Sequence, residues 1–298
     1  MTSVHDRVFE AERARLRGIA YRMLGTVADA EDVVQDAWLR WHGAREGTVD
    51  DGRAFLVRVV TNLCLDRLKS ARMRREQYVG EWLPEPLLDD VSAYQPGPEV
   101  AHEFAHDLTF ALLRTLDTLS PLERAAFLLH DVFDVDFATV ASALEREPAA
   151  CRQLAARARE HVRGARPRYA VREEDGERLA RAFVGAIAAG DVEGLTRVLA
   201  ADVGFYSDGG GKVAAVPYPL FGADKVAKAL VGFAKSAALD AVRGRYARVN
   251  GMPGLLLTTR DGGVVQTMAF DVDDTGRISA IWIQRNPEKL RHISSGRG

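Results

Sequence analysis

Cysteine is nearly absent from this chain, with only Cys64 and Cys151 among 298 residues. Both fall inside helical patterns without a nearby partner. That excludes a disulfide framework and any cysteine-based metal spacing, and it suits a reducing compartment. Long apolar runs are also lacking. Nothing approaches the roughly 18 residues of a membrane span, and the opening MTSVHDRVFEAERARLRGIA has no signal-peptide core. A cytoplasmic protein with no membrane partner is expected. A local absence says more: residues 76–113 contain no Lys or Arg and eight Asp/Glu. On either side the balance reverses, with seven Lys/Arg against one acid over 53–75 and eight Arg against two over 146–172, although the net charge is only -2. Two basic blocks parted by an acidic connector suit a chain that grips a polyanion at two points. Solvated helix faces would give the same counts.

Two motifs suggest chemistry and fail on inspection. HEFAH at 102–106 matches the HExxH zinc signature, but the extended metzincin run is missing and the nearest third-ligand candidates, Glu123 and His130, fall on another predicted helix. SDGGGKVAAVP at 207–217 puts a lysine after three glycines, as a phosphate cradle would. The Walker pattern, however, needs a glycine five residues before Gly211 and a Ser/Thr after Lys212, where Val213 stands. Serines lack the strand-turn-helix setting of a nucleophile. No metal, cofactor or catalytic residue is assigned, and the chain is not expected to be an enzyme. Any chemistry would fall in the C-terminal domain, where Asp202, Tyr206 and Asp208 lie nearest the mouth of a cone; ordinary strand-end polar residues would look the same.

The pattern is helical through the first seventy residues. In ADAEDVVQDAWLRWHGA, Val33, Val34, Ala37, Trp38 and Trp41 form an apolar stripe while Asp29, Asp32 and Asp36 share another face. A second long helix, AFLVRVVTNLCLDRLKSARMRR, ends in basic turns. Residues 77–98 read as a linker, since the stretch 81–100 holds four prolines and a glycine, and Trp82 and Leu83 make it sticky. Residues 99–168 are again helical, with Ser120, Pro121 and Glu123 spelling a capping box. FATVASALE and PAACRQLAARAREHVR, joined by a tight turn, have the layout of a helix-turn-helix whose arginine-rich second helix enters a major groove. Arginine there can grip guanine, and Gln153 can pair with adenine. From residue 175 to 293, two helices divided by Gly190 as C-cap and Asp191 as N-cap, the second read over 192–203, and then short strands with DGG and DTG turns predict an α+β domain with a curved antiparallel sheet.

DAEDVVQDAWLRW resembles region 2.2 of the extracytoplasmic-function sigma factors, FLVRVVTNLCLDRLKSARMRR their regions 2.3 and 2.4, and LSPLERAAFLLHDVFDVDFATVASALEREPAACRQLAARAREHV their region 4. WLPEP, DGGGK and NPEKL are similar to motifs of the subgroup carrying a fused SnoaL-like domain. The resemblance implies a multidomain chain: a region 2 helical bundle over 1–76, the linker 77–98, a region 4 helix-turn-helix over 99–168 and an α+β SnoaL-like cone over 175–293. It implies a transcription initiation factor whose partners are core RNA polymerase, through its β and β′ subunits, and promoter DNA. Asp29, Asp32 and Asp36 would dock on the polymerase clamp. Asn62 and the loop 43–53 would read the opened minus-ten strand, with Arg67, Lys69 and Arg72 on phosphates. Arg152 and Gln153 would read minus-35 bases, with Arg157, Arg159 and Arg163 on the backbone. The cone would act as a built-in regulator and leaves room for a small ligand. Trp82 and Leu83 of the linker would meet Asp208, Gly209, Gly210, Gly211 and Lys212 and the segment of Asn286 and Pro287. Arg285, Lys289 and Arg291 would complement the four carboxylates of EWLPEPLLDD, with Lys212 and NPEKL as the pin. Two other readings remain open on the residues alone: a SnoaL-like enzyme or ligand sensor tethered to DNA, and a plain helix-turn-helix repressor.

Overall fold

A computed structural model describes residues 4–44, 49–89, 91–96, 107–163, 171–236 and 242–293. Two compact units emerge, one from residues 1–77 with 90–166, the other from 78–89 with 167–298.

In the first unit, α1 (Val4–Leu24), α2 (Val27–Gly43) and α3 (Gly52–Glu76) pack on one another. Their apolar stripes meet in a core of Leu16, Ile19, Val33, Ala37, Trp41, Leu56 and Val60. After a 3-10 turn, Ser92–Tyr94, come α4 (Phe110–Thr118), α5 (Pro121–Phe127) with a π-helical turn at Leu128–Val132, α6 (Phe137–Leu144) and α7 (Pro148–Val162). The predicted capping box is formed: the Ser120 hydroxyl accepts from the Glu123 amide, and the Glu123 carboxylate accepts from the Ser120 amide.

Buried arginines tie the segments of this unit together. Arg22, 1% exposed, donates to the carbonyls of Tyr94 at 2.6 Å and Asp107 at 3.3 Å. Burial pulls its pKa down to about 10. Gly18 lets the 3-10 turn approach, since a Cβ there would lie 2.5 Å from the Tyr94 carbonyl oxygen. Arg15 donates to the Phe133 carbonyl, and Arg124 donates to Met23 O at 2.6 Å while pairing with Asp117 at 2.7 Å. Neutral carbonyls thus take the donors of cations that have lost water.

The second unit opens with α8 (Glu173–Ala189) and α9 (Val192–Val198), separated by Gly190 in the left-handed conformation and by Asp191 capping the Gly194 amide. Strands β1 (Leu199–Asp208), β2 (Leu220–Phe221), β3 (Val242–Val249), β4 (Met252–Thr259), β5 (Val264–Val272) and β6 (Ile278–Gln284) form one sheet in the order β2-β1-β6-β5-β4-β3. Helix α10 (Ala223–Ser236) follows β2, and α11 (Pro287–Leu290) follows β6. Phe183, Phe205, Phe270, Val226 and Ile281 fill the space between the helices and one sheet face. Two features depart from the sequence expectation. The helical reading of 192–203 gives way at Leu199, where ladder bonds replace the helix. The sheet is also not wholly antiparallel, since β1 runs parallel to β6 across a register shift between Leu199 and Gly204. The α+β architecture is as expected.

Candidate functional site

The linker's central stretch forms part of the second unit. Residues 87–89 run along β3, the last strand of the sheet order: the Leu87 amide donates to Asn250 Oδ1 at 2.9 Å, Asn250 N donates to the Leu87 carbonyl at 2.8 Å, Leu88 bridges Val249 antiparallel, and Asp89 N donates to Arg248 O at 2.8 Å. An edge strand is a ready template for such pairing.

Asp208 organises the rest. It ends β1, is 0% exposed, and is surrounded by donors. Its Oδ1 accepts from the Tyr78 hydroxyl at 2.6 Å and the Gly210 amide at 3.0 Å. Its Oδ2 accepts from the Leu83 amide at 2.9 Å, Lys289 Nζ at 2.7 Å and Gln284 Nε2 at 3.3 Å. Lys289, 6% exposed, also donates to the Leu83 carbonyl at 2.6 Å and lies over the rings of Trp82 and Tyr78, 4.1 and 4.7 Å from their centroids. A carboxylate and an ammonium leave water together here, and each is satisfied by further hydrogen bonds.

The proline spacing fits this accounting. Pro84 and Pro86 have no N–H to satisfy, so Leu83 and Leu87 beside them supply amides, while the carbonyls of Pro84 and Pro86 accept from Gln284 and the His292 ring. Asn286 caps α11 through Glu288 N at 3.0 Å, leads into Pro287, and donates to the Tyr78 hydroxyl at 2.8 Å. Burial first, and the bond to Asp208 second, push the Tyr78 phenol far above its ordinary value.

The glycine run explains itself by close approach. A Cβ on Gly209 would lie 2.3 Å from the Val213 carbonyl oxygen; Gly210 and Gly211 take φ of +62° and +69°, against Asn286 and Val79 respectively. Lys212 differs from expectation: it pairs with Glu288 at the surface, not with the linker carboxylates. The inward-facing cation is Lys289. Trp82 is half-buried and Leu83 fully buried, as apolar anchors should be. Tyr206, placed by the sequence near a cone mouth, stacks on Trp282 at 4.2 Å.

In the first unit, Asp29, Asp32 and Asp36 share one face of α2, and Arg67 of α3 reaches all three. Arg67 was expected on phosphate; its guanidinium is turned to α2 instead. Asn62 is half-buried and Lys69 pairs with Asp66 at 2.9 Å. Arg72, part of the loop 43–53 and HEFAH lie outside the described residues or side chains. On α7, Cys151, Ala155, Ala158 and Val162 face inward, which leaves Arg152, Gln153, Arg157 and Arg163 exposed. Arg159 departs from the expected phosphate role because it pairs with Asp131 of the π-helical turn. Arg152 lies over the Phe137 ring, 5.8 Å from its centroid.

Comparison with known proteins gives this geometry a context. The family described as Sigma-70 region 2 matches residues 8–74, and Sigma-70, region 4 matches 109–162. The ECF RNA polymerase sigma factor SigJ of Mycobacterium tuberculosis (strain ATCC 25618 / H37Rv) is 40% identical over 297 residues, 95% of this chain and 92% of that protein. The chain belongs to the ECF RNA polymerase sigma factors. A probable ECF RNA polymerase sigma factor, SigI of M. tuberculosis (strain CDC 1551 / Oshkosh), is 37% identical over 202 residues, 66% of this chain and 68% of that protein. The crystal structure of the M. tuberculosis extracytoplasmic function sigma factor SigJ matches with a TM-score of 0.73 and 36% identity, covering 95% of this sigma factor and 96% of that chain. As a sigma factor it works with core RNA polymerase at promoter DNA. No described helix is long and apolar enough to cross a membrane.

Sequence reading of this sigma factor passed over Tyr78, Asn250, Gln284 and His292. The signal for Tyr78 was its place just before the prolines; Asn250 and Gln284 carried none beyond lying at strand ends.

Proposed function

We propose that the C-terminal α+β unit regulates this sigma factor by clasping its linker, and that Asp208 is the center of the clasp. The observation that carries the reading is the fully buried carboxylate that accepts from Tyr78, Leu83 and Lys289 at once. Residues 78–89 connect the region 2 segment to the region 4 segment, so fixing their path constrains how the two DNA readers can be spaced. The unit has a holding role in this account and not a catalytic one, since Asp208 is committed to structural donors. A small ligand is not needed for this holding role.

The same reading assigns Asp29, Asp32 and Asp36 to the polymerase clamp on β′, Asn62 and Lys69 to the minus-ten strand, Arg152 and Gln153 to minus-35 bases, and Arg157 and Arg163 to phosphates. Exposure of the last four on one helix supports the DNA part. Limited proteolysis with run-off transcription tests the clasp. Asp208→Asn keeps the shape and removes the charge; it should expose 78–89 to cleavage and alter run-off yield with core polymerase. Unchanged cleavage and unchanged yield would contradict the proposal.

A further inference from the structure

Arg67 sits where four acceptors converge. Its guanidinium lies 3.1 Å from Asp36 Oδ2, 3.5 Å from Asp32 Oδ2, 3.6 Å from Asp29 Oδ1 and 3.2 Å from the Asp29 carbonyl oxygen. The three carboxylates occupy positions i, i+3 and i+7 of α2, where like charges repel along one face. Thr26 holds the first of them through a 2.7 Å bond to Asp29 Oδ2. Arg67 comes from a different helix, is 26% exposed, and spans the row from end to end. Its planar fork suits that task in a way a lysine ammonium does not. With three carboxylates and one guanidinium the cluster keeps a net charge of -2, which repels phosphate and attracts a basic partner.

We infer that Arg67 is a positioning residue for polymerase docking, which holds Asp29, Asp32 and Asp36 in one array for a basic surface of the core enzyme, and that it is not a promoter phosphate contact. The inference rests on the docking role proposed above for those aspartates. Removing the guanidinium has two opposed kinetic effects. The face becomes more negative, so low-salt association with core polymerase speeds up; the carboxylates lose their order, so the complex dissociates faster, by about threefold to tenfold. A residue that merely stabilised the fold would not raise the association rate.

The test measures association and dissociation of the full chain with core polymerase at low and high salt for Arg67→Gln, Arg67→Lys and Asp36→Asn. Promoter binding by the assembled holoenzyme is titrated with salt in parallel. Arg67→Gln should associate faster at low salt only and dissociate faster, with the holoenzyme's salt slope on promoter DNA unchanged. If that variant fails to fold, Arg67→Lys decides, since it keeps the charge and loses the fork: faster dissociation at a wild-type association rate supports the inference, and wild-type dissociation overturns it. Unchanged core kinetics for Arg67→Gln, with the promoter salt slope reduced by about one, would make Arg67 a phosphate contact and overturn the inference. Asp36→Asn separates the two layers. If it weakens core binding while Arg67→Gln does not, positioning alone fails; if it leaves core binding intact, the docking role of the face fails and the inference falls with it.

Discussion

Lys289 and Asp208 form a buried ion pair, 2.7 Å apart, in which the lysine also holds the Leu83 carbonyl of the linker. Removing one partner of such a pair strands the other charge away from water and typically costs about 3–5 kcal/mol. Lys289→Ala should therefore lower the unfolding free energy of the C-terminal unit by that amount and open 78–89 to protease. Lys212→Ala, which breaks only an exposed pair with Glu288, should leave linker protection at the wild-type level. Chemical denaturation and timed proteolysis of the two variants check this; equal effects would remove the distinction between them.

The Tyr78 phenol holds its proton more tightly in the folded chain than at its ordinary value of 10.0, because it is half-buried and donates to Asp208. A group with a raised folded pKa contributes its full stability below the unfolded value, and loses it as pH climbs above that value. The wild-type thermal midpoint should fall more steeply above about pH 10 than that of Tyr78→Phe. Parallel slopes would exclude Tyr78 from the clasp's energetics.

On α7, Arg152, Gln153, Arg157 and Arg163 are exposed while Arg159 pairs with Asp131, and the DNA-reading roles proposed above follow that division. Arg152→Ala and Gln153→Ala should each reduce discrimination at the minus-35 element by about 1–3 kcal/mol, while Arg163→Ala should weaken all sequences alike and flatten the salt dependence. Arg159→Ala should act differently from all three, by lowering stability through the orphaned Asp131. Competition binding on matched and scrambled promoters, with melting curves, sorts them. Uniform loss for Arg152→Ala would take it out of the base-reading set.

Local signals in the sequence were legible where local physics decides. The Ser120–Glu123 capping box, the Gly190–Asp191 helix break and the turn before Pro148 each act within a few residues, and all three are in place. The clasp was legible as three separate motifs and not as a structure, because Asp208 meets Tyr78 across 130 residues of sequence and Lys289 across 81. Charge suggested that Lys212 and Lys289 were equivalent surface cations. Only the convergence of a carboxylate, a carbonyl and two rings shows which one can be buried. The resemblance placed Arg67 on phosphate; its pairing with Asp36, across 31 residues of sequence, depends on the packing of α3 on α2 and has no local signal.

The central claim is that the clasp at Asp208 sets the spacing at which the two DNA-reading segments work. The direct measurement is run-off transcription with core polymerase on promoters identical except for spacers between the minus-ten and minus-35 elements that differ by single base pairs, with linker protection monitored in the same preparations. The account predicts one sharply preferred spacer for the wild-type chain, and for Asp208→Asn a lower peak spread over neighbouring spacers. Identical spacer profiles for the two proteins, with the linker demonstrably freed in the variant, would contradict it.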